Sequence, residues 1–246
     1  MNKELQKFYD ERKQSLKEIR EDNELKNKSL DWMLHADKYK YSYNFSWMGR
    51  PIIKYPNDMV VQQELIWKIK PDLIIETGIA HGGSIIFSAS MLRMMQIEGE
   101  VVAVDIDIRD HNRKLIEDHP MYRNITMYEG DSTDRNIFLK VKSHCEGKKN
   151  VMLILDSNHT HEHVLNELNL YSGLVSLGSY IILPDTFIEF FPEGYSSVNR
   201  PWDKGNNPYT AMKSFLSSNK NFVIDEEISG KACITETIDG YLKRVK

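Results

Sequence analysis

The sequence predicts an α/β fold, a Rossmann-like and mostly parallel central sheet with helices on both faces, preceded by an N-terminal helical arm. Two observations carry that prediction. From Asp72 onward, short apolar runs alternate with turns and helical stretches, the pattern of βαβ units in which parallel strands need a crossover between them. Most of the runs also end in an acid, so one edge of the sheet is expected to be polar.

Composition sets the frame for the elements. A chain of 246 residues with 41% hydrophobic side chains can bury a full core without disulfides or structural metal. A formal net charge of −4 argues against a dedicated nucleic-acid partner. No apolar run approaches the roughly 18 residues of a membrane span. The start, MNKELQKFYDERKQSLKEIR, is too charged for a secretory signal, so a cytoplasmic location is expected. Cys145 and Cys233 are too few for a disulfide framework or a thiolate metal cage.

Residues 1–30 interleave charges of both signs around a thin apolar stripe (Leu5, Phe8, Leu16, Ile19, Leu25), which suits an exposed helix leaning on the body or on a second copy of the chain. A homo-oligomer is therefore expected. Tyr39 to Pro51 is aromatic-rich and non-periodic and reads as a covering loop, so residues 1–56 form arm and loop and 57–246 the main domain. Asn57 or Asp58 is expected to cap a helix running to about Lys70. The apolar runs Leu73–Ile75, Val101–Val104, Ile125–Tyr128, Val151–Leu155 and Tyr180–Leu183 read as strands. Helices are expected at Ser84–Met95, around Arg113–Asp118, and at His161–Leu174. Residues 187–208, rich in Pro, Gly and Asn, read as a lid. A helix over Tyr209–Ser217 and runs at Phe222–Ile224 and Ala232–Thr235 complete the domain.

Glu76, Asp105, Asp131, Asp156 and Asp185 each fall at or just past the C-terminal end of one of these runs. In an open parallel sheet those ends line the crevice where ligands bind. The first turn, Glu76-Thr-Gly78-Ile-Ala-His-Gly82-Gly83-Ser84, lets a ligand approach the backbone closely, but its glycines fall as GxxxGG, not as the dinucleotide fingerprint. Glu76 would repel a pyrophosphate and suit a ligand bearing positive charge. Asp105 is placed to accept hydrogen bonds from ribose hydroxyls, and Asp131, with Ser132 beside it, to meet an adenine amino group. A cationic adenosine derivative with free ribose hydroxyls is S-adenosylmethionine, to be held by Glu76, Gly78, Gly82, Gly83, Ser84, Asp105, Asp131, Ser132 and Asp156.

The run Asp156-Ser-Asn-His159-Thr-His161-Glu162-His163 matches neither HxHxDH nor HExxH. His159 is the candidate base, because methyl transfer to an alcohol must remove the hydroxyl proton while the oxygen attacks in line. His161 and His163 read as structural. Asp156 and Asp185, on neighbouring strand ends, can hold a hard divalent ion such as magnesium. Two other readings stand beside this one: a metal-dependent hydrolase or hydroxylase built on the histidine cluster, and a cofactor-binding scaffold without turnover.

The blocks PDLIIETGIAHGGSIIFSASML, VVAVDIDIRDHNR, LILDSNHTHEHVLNELNLYSGLVSLGSYIILPDT, RPWDKGNNP and the terminal DGYLKR resemble the cephalosporin hydroxylase / rhamnosyl O-methyltransferase family over about residues 40–246. The resemblance implies a class I methyltransferase fold and an S-adenosylmethionine-dependent O-methyltransferase. It also implies that Asp156 and His159 match a unit supplying a magnesium ligand and the catalytic base. Where that family's metal site ends in adjacent Glu and Asp, this chain has Pro184-Asp185, leaving Asp156, Asp185 and the Thr186 hydroxyl as ligands. Tyr195, Arg200, Trp202 and Asn206 of the lid offer aromatic faces, an amide and a guanidinium to a polyhydroxylated ring. The acceptor expected from the resemblance is a small-molecule sugar or sugar nucleotide in glycan or natural-product assembly.

Overall fold

The computed structural model describes residues 2–195 and 200–246, so residues 196–199 of the expected lid lie outside the described residues. The arm is two helices. The first, α1 (Lys3–Glu21), buries no residue, and Asp22 breaks it and caps α2 (Asn23–Asp37) by accepting the Leu25 N–H at 2.9 Å. The segment expected as a loop instead folds into a 3₁₀ turn (Tyr41–Asn44) and an antiparallel hairpin of β1 (Phe45–Trp47) and β2 (Arg50–Ile52). Gly49 with φ +84° and Met48 with φ +46° make that turn. The hairpin's Trp47 donates its indole N–H to Ser90 and meets Phe87 edge-on, so its aromatics are core contacts.

The next helix, α3 (Pro56–Ile69), is capped differently from expectation: Tyr55 stands at its N-cap with Pro56 in the first turn. Pro56 needs no N–H partner there, and Asp58 is freed for another use described below. The sheet strands are β3 (Leu73–Thr77), β4 (Glu100–Asp105), β5 (Ile125–Glu129), β6 (Val151–Leu155), β7 (Tyr180–Ile182), β8 (Phe222–Ile224) and β9 (Tyr241–Arg244). Their order is β5-β4-β3-β6-β7-β9-β8, parallel except for the pairings of β9 with β7 and β8. The run Ala232–Thr235, expected as the last strand, is not one. Tyr241–Arg244 takes that place because it alternates two fully buried side chains across the sheet, whereas Thr235 turns its hydroxyl to Asp58.

The helices between strands are α4 (Gly83–Met94), α5 (Asp110–Glu117), α6 (Arg135–Ser143), α7 (His161–Tyr171), α8 (Pro208–Ser218) and the short α9 (Glu226–Ser229). The pleat sends alternate strand residues to opposite faces. Ile74, Val101, Ala103, Met152 and Ile154 join α3 and α4 residues in one core, while Leu73, Ile75, Val102, Val104 and Leu153 join α6, α7 and α8 in the other. This three-layer arrangement is what near-continuous apolar strands require.

Register places the site. Thr77 lies beside both Val104 and Leu155, so Gly78, Asp105 and Asp156 follow in one row at the strand ends. The chain order reverses between β3 and β6, and it is at such a switch point that open α/β sheets bind ligands.

Candidate active site

The Gly loop after β3 is held from both sides. The Asp105 carboxylate accepts the N–H groups of Ile79 (2.7 Å) and Ala80 (3.1 Å). The carbonyls of the same loop are held by Arg50, which donates to His81 O, and by Asn112, whose amide reaches Ala80 O at 3.2 Å. Gly78 has φ +92°, and a Cβ there would lie 1.9 Å from the Asp156 carbonyl oxygen, so only glycine lets β3 and β6 end side by side. A Cβ on Gly83 would strike the Pro51 carbonyl at 2.2 Å.

Around this loop both carboxylate oxygens of Glu76, the Thr77 hydroxyl and the Ser84 hydroxyl are buried without a well-formed hydrogen bond, although Ser84 stands near enough to Glu76 to favour its charged form. Orphaned buried groups are costly and rare, and Glu76 and Ser84 stand at the two ends of the Gly loop, while Thr77, next to Glu76 on β3, points to the opposite face of the sheet. Burial pushes the Glu76 carboxyl up to about 7, against the opposing pull of the Lys54 ammonium. Such a group fits a cationic ligand that also donates hydrogen bonds.

The next two acids are spent locally. Besides bracing the loop, Asp105 accepts the Asp107 N–H at 3.2 Å. Asp131 is exposed, and one oxygen accepts both the N–H and the hydroxyl of Thr133, a bond that lowers its pKa. Ser132 is turned away from the crevice. It donates to Glu167 Oε1 at 2.6 Å, as Ser157 does at 2.7 Å, and His163 Nε2 lies 3.1 Å from both hydroxyls. Asp131 therefore keeps one oxygen for a ligand, whereas Ser132 belongs to a buried brace between β5, β6 and α7.

The histidine run is divided among three tasks. His161 starts α7 and bonds Thr210 Oγ1 at 2.8 Å, joining α7 to α8. His163 joins the Glu167 brace. His159 lies before the helix, with Nδ1 3.1 Å from Asp185 Oδ2 and its ring edge-on to Trp202 at 4.6 Å. One metal cannot draw on all three, which removes the geometry a histidine-based hydrolase would need.

Asp156, His159 and Asp185 instead bring one ligand atom each within 4.8 Å of one another. Asp185 has φ +58°, a strained conformation for a non-glycine residue that the surrounding structure must hold. Burial and the neighbouring Asp156 raise its pKa, while His159 and Lys54 oppose them. Thr186 does not join the cluster, since its fully buried hydroxyl donates to the Glu236 carbonyl at 3.3 Å. Two partly exposed carboxylates beside an imidazole suit a hard divalent ion with remaining positions for water and substrate oxygens.

Two residues at the back of the site, Lys54 and Glu236, went unnoticed in the sequence, and Asp58, expected as a helix cap, serves another purpose. Lys54, buried, donates to Asp156 Oδ2 at 3.1 Å and to Glu236 Oε1 at 3.2 Å. Burial alone would neutralise it, but Asp156, Glu236 and Glu76 outweigh that and raise its pKa. Asp58 accepts from the Thr235 hydroxyl, the Glu236 N–H and the Tyr241 hydroxyl, fastening the segment that carries Glu236. The one available signal was Lys54 standing in the otherwise apolar stretch Pro51-Ile-Ile-Lys-Tyr-Pro56. Asp156, Glu236 and Glu76 all act on this ammonium, and Asp185 feels its charge as well.

Of the lid residues, Trp202 stands on His159 and Arg200 lies over the Trp202 ring at 5.0 Å. Asn206 is spent on structure, accepting the His161 N–H and donating to the Pro201 carbonyl. Tyr195 lies edge-on to Phe191, in the cluster formed with Met33 and Tyr55, away from His159.

A family model described as rhamnosyl O-methyltransferase/CmcI matches residues 39–245. The chain belongs to that family. It is by family an S-adenosylmethionine-dependent O-methyltransferase. The rhamnosyl O-methyltransferase of Mycobacterium bovis is 29% identical over 206 residues, covering 81% of this chain and 78% of its own length. That of Mycobacterium leprae is 29% identical over 69% of each chain. Among solved structures, an apo structure of CmcI superposes with a TM-score of 0.57 at 21% identity, covering 83% of this chain and 77% of its own. A CmcI structure with magnesium and S-adenosylmethionine gives 0.56 at 20% identity, covering 83% and 78%. These likenesses confirm the class I methyltransferase fold. Among the described residues, no helix is long and apolar enough to cross a membrane.

Proposed function

We propose that the chain transfers the methyl group of S-adenosylmethionine to a sugar hydroxyl, of a glycoside or sugar nucleotide, with help from a divalent ion. The observation that carries this reading is the Asp156–His159–Asp185 cluster with the buried Glu76 carboxyl close enough to feel Asp156 and Ser84. The magnesium and S-adenosylmethionine in the CmcI structure and the rhamnosyl acceptor named for the mycobacterial relatives support it.

Glu76 and Ser84 would meet the cationic end of the cofactor, and the free oxygen of Asp131 would face its base, while Gly78 and Gly83 let the loop pack closely on the Asp156 and Pro51 carbonyls and so shape the pocket. Asp105 serves mainly to hold the loop that shapes this pocket. S-Adenosylmethionine supplies an electrophilic methyl carbon: the C–S bond breaks with its electron pair left on sulfur as the C–O bond forms. Asp156 and Asp185 would hold the divalent ion, which would supply positive charge to acidify the acceptor hydroxyl. His159 takes the hydroxyl proton. Its Nδ1 lies 3.1 Å from Asp185 Oδ2, and a proton carried there would leave Nε2 as the basic atom. Trp202 walls the histidine, and Arg200 with Trp202 offers a face for a sugar ring.

The test is transfer of a labelled methyl group to a panel of deoxysugar glycosides and sugar nucleotides, with S-adenosylhomocysteine binding followed by calorimetry. Binding with labelled product is the expected result. Binding without transfer to any sugar, alongside transfer to a phenolic or catechol acceptor, would overturn the sugar assignment.

A further inference from the structure

Lys54 has no part in the chemistry above, yet it is the one Lys or Arg side chain among the described residues in ion-pair contact with an acid of the Asp156–His159–Asp185 cluster. Its side chain is 4% exposed, and its ammonium is shared between Asp156 Oδ2 at 3.1 Å and Glu236 Oε1 at 3.2 Å. Glu236 cannot drift, because Asp58 holds its backbone N–H at 2.9 Å. A divalent ion drawing on the same Asp156 oxygen, at a bond of about 2.1 Å, would stand no farther than about 5 Å from the ammonium. Like charges at that distance in a site shielded from solvent repel strongly.

We propose that Lys54 is a positioning residue that competes with the divalent ion for Asp156, and that Glu236 sets the strength of this competition by giving the ammonium a second partner. Lys54 holds Asp156 when no ion is bound, and it stays on Glu236 when the ion takes Asp156. The proposal rests on the reading of Asp156 and Asp185 as the ligands of a divalent ion, with His159 beside them as the base. It makes the two partners of one ion pair act with opposite signs. Removing Lys54 tightens metal binding, and removing Glu236 weakens it by leaving the ammonium with Asp156 alone.

The experiment uses Mn²⁺ as the probe on the full-length, cofactor-free protein at one fixed alkaline pH, with free Mn²⁺ read by electron paramagnetic resonance. Lys54→Met is expected to tighten binding by at least about tenfold and Glu236→Gln to weaken it comparably, while Lys54→Arg, which keeps the charge, stays within about threefold of wild type. In the double variant the Glu236→Gln effect should vanish, since no ammonium remains to be released. Unchanged or weaker binding by Lys54→Met would show that Lys54 only props Asp156, and would overturn the proposal. A Glu236→Gln loss that persists in the double variant would make Glu236 a direct ligand and also overturn it. Should Lys54→Met fail to fold by circular dichroism, Lys54→Gln carries the same expectation. Wild-type binding lost in Asp185→Asn with no gain in Lys54→Met defeats this inference alone. No Mn²⁺ binding in any variant defeats the metal centre with it.

Discussion

The two halves of the polar sheet edge use the same residue types for opposite ends. On the side of β4 and β5, Asp105 and Asp131 turn their oxygens to nearby N–H and hydroxyl groups and so build turns. Across β3, β6 and β7, Glu76 is buried without a well-formed hydrogen bond, and Asp156 meets a buried ammonium and Asp185 a histidine instead of closing turns. A carboxylate satisfied by its own backbone is architecture. One left orphaned or crowded among like charges carries a cost that a ligand can relieve.

The sharpest break between the halves is expected in catalysis. His159→Ala should lower transfer by at least about a hundredfold, the usual contribution of a general base, while S-adenosylhomocysteine binding stays unchanged. Full activity across neutral pH would remove His159 from that role.

Next in size is Asp105→Asn. Its amide would face the two N–H donors of Ile79 and Ala80, so the loop loses a charged acceptor at a cost of about 1–3 kcal/mol. Thermal unfolding should fall and cofactor binding weaken, with Mn²⁺ affinity unmoved. A change in metal affinity alone would show that the halves are not separable as drawn.

A smaller effect is expected from pH. Free Glu76 keeps its proton up to about pH 7, and a cationic ligand requires the carboxylate, so binding expels a proton below that pH. Cofactor affinity should fall by up to about tenfold per unit as pH drops below 7 and level off above it. In Glu76→Gln the slope due to this group should disappear, which calorimetry across pH 5.5–8.5 would check.

The smallest concerns the lid. Asn207 is fully buried, caps α8 through the Thr210 N–H, and bonds Glu189 at 2.7 Å. Asn207→Ala should cost about 1 kcal/mol of stability, seen as a lower Tm, and leave cofactor binding intact.

The sheet was legible in the sequence because buried parallel strands must be apolar almost throughout, and because most of the runs end at an acid. The joining of Asp156, His159 and Asp185 was legible for the same reason, as all three follow adjacent strands. What escaped depends on contacts far apart in the chain. Asp58 looks like a first-turn helix cap, but its carboxylate is claimed by Thr235, Glu236 and Tyr241, more than 170 positions later. The same contacts keep Ala232–Thr235 out of the sheet, against its apolar appearance. Ser132 and Asn206 are polar, near the site and apparently free, until Glu167 and the α7 backbone take them up. Local pattern reports where a side chain is, but not which of its neighbours gets there first.

If the acids that follow β6 and β7 hold a divalent ion on which transfer depends, methyl transfer measured after exhaustive chelation and during stepwise return of magnesium will show it. Turnover should be lost on chelation and recover with added magnesium, with Asp156→Asn and Asp185→Asn failing to recover. Turnover indifferent to chelator in the wild-type enzyme would remove the ion from the reaction.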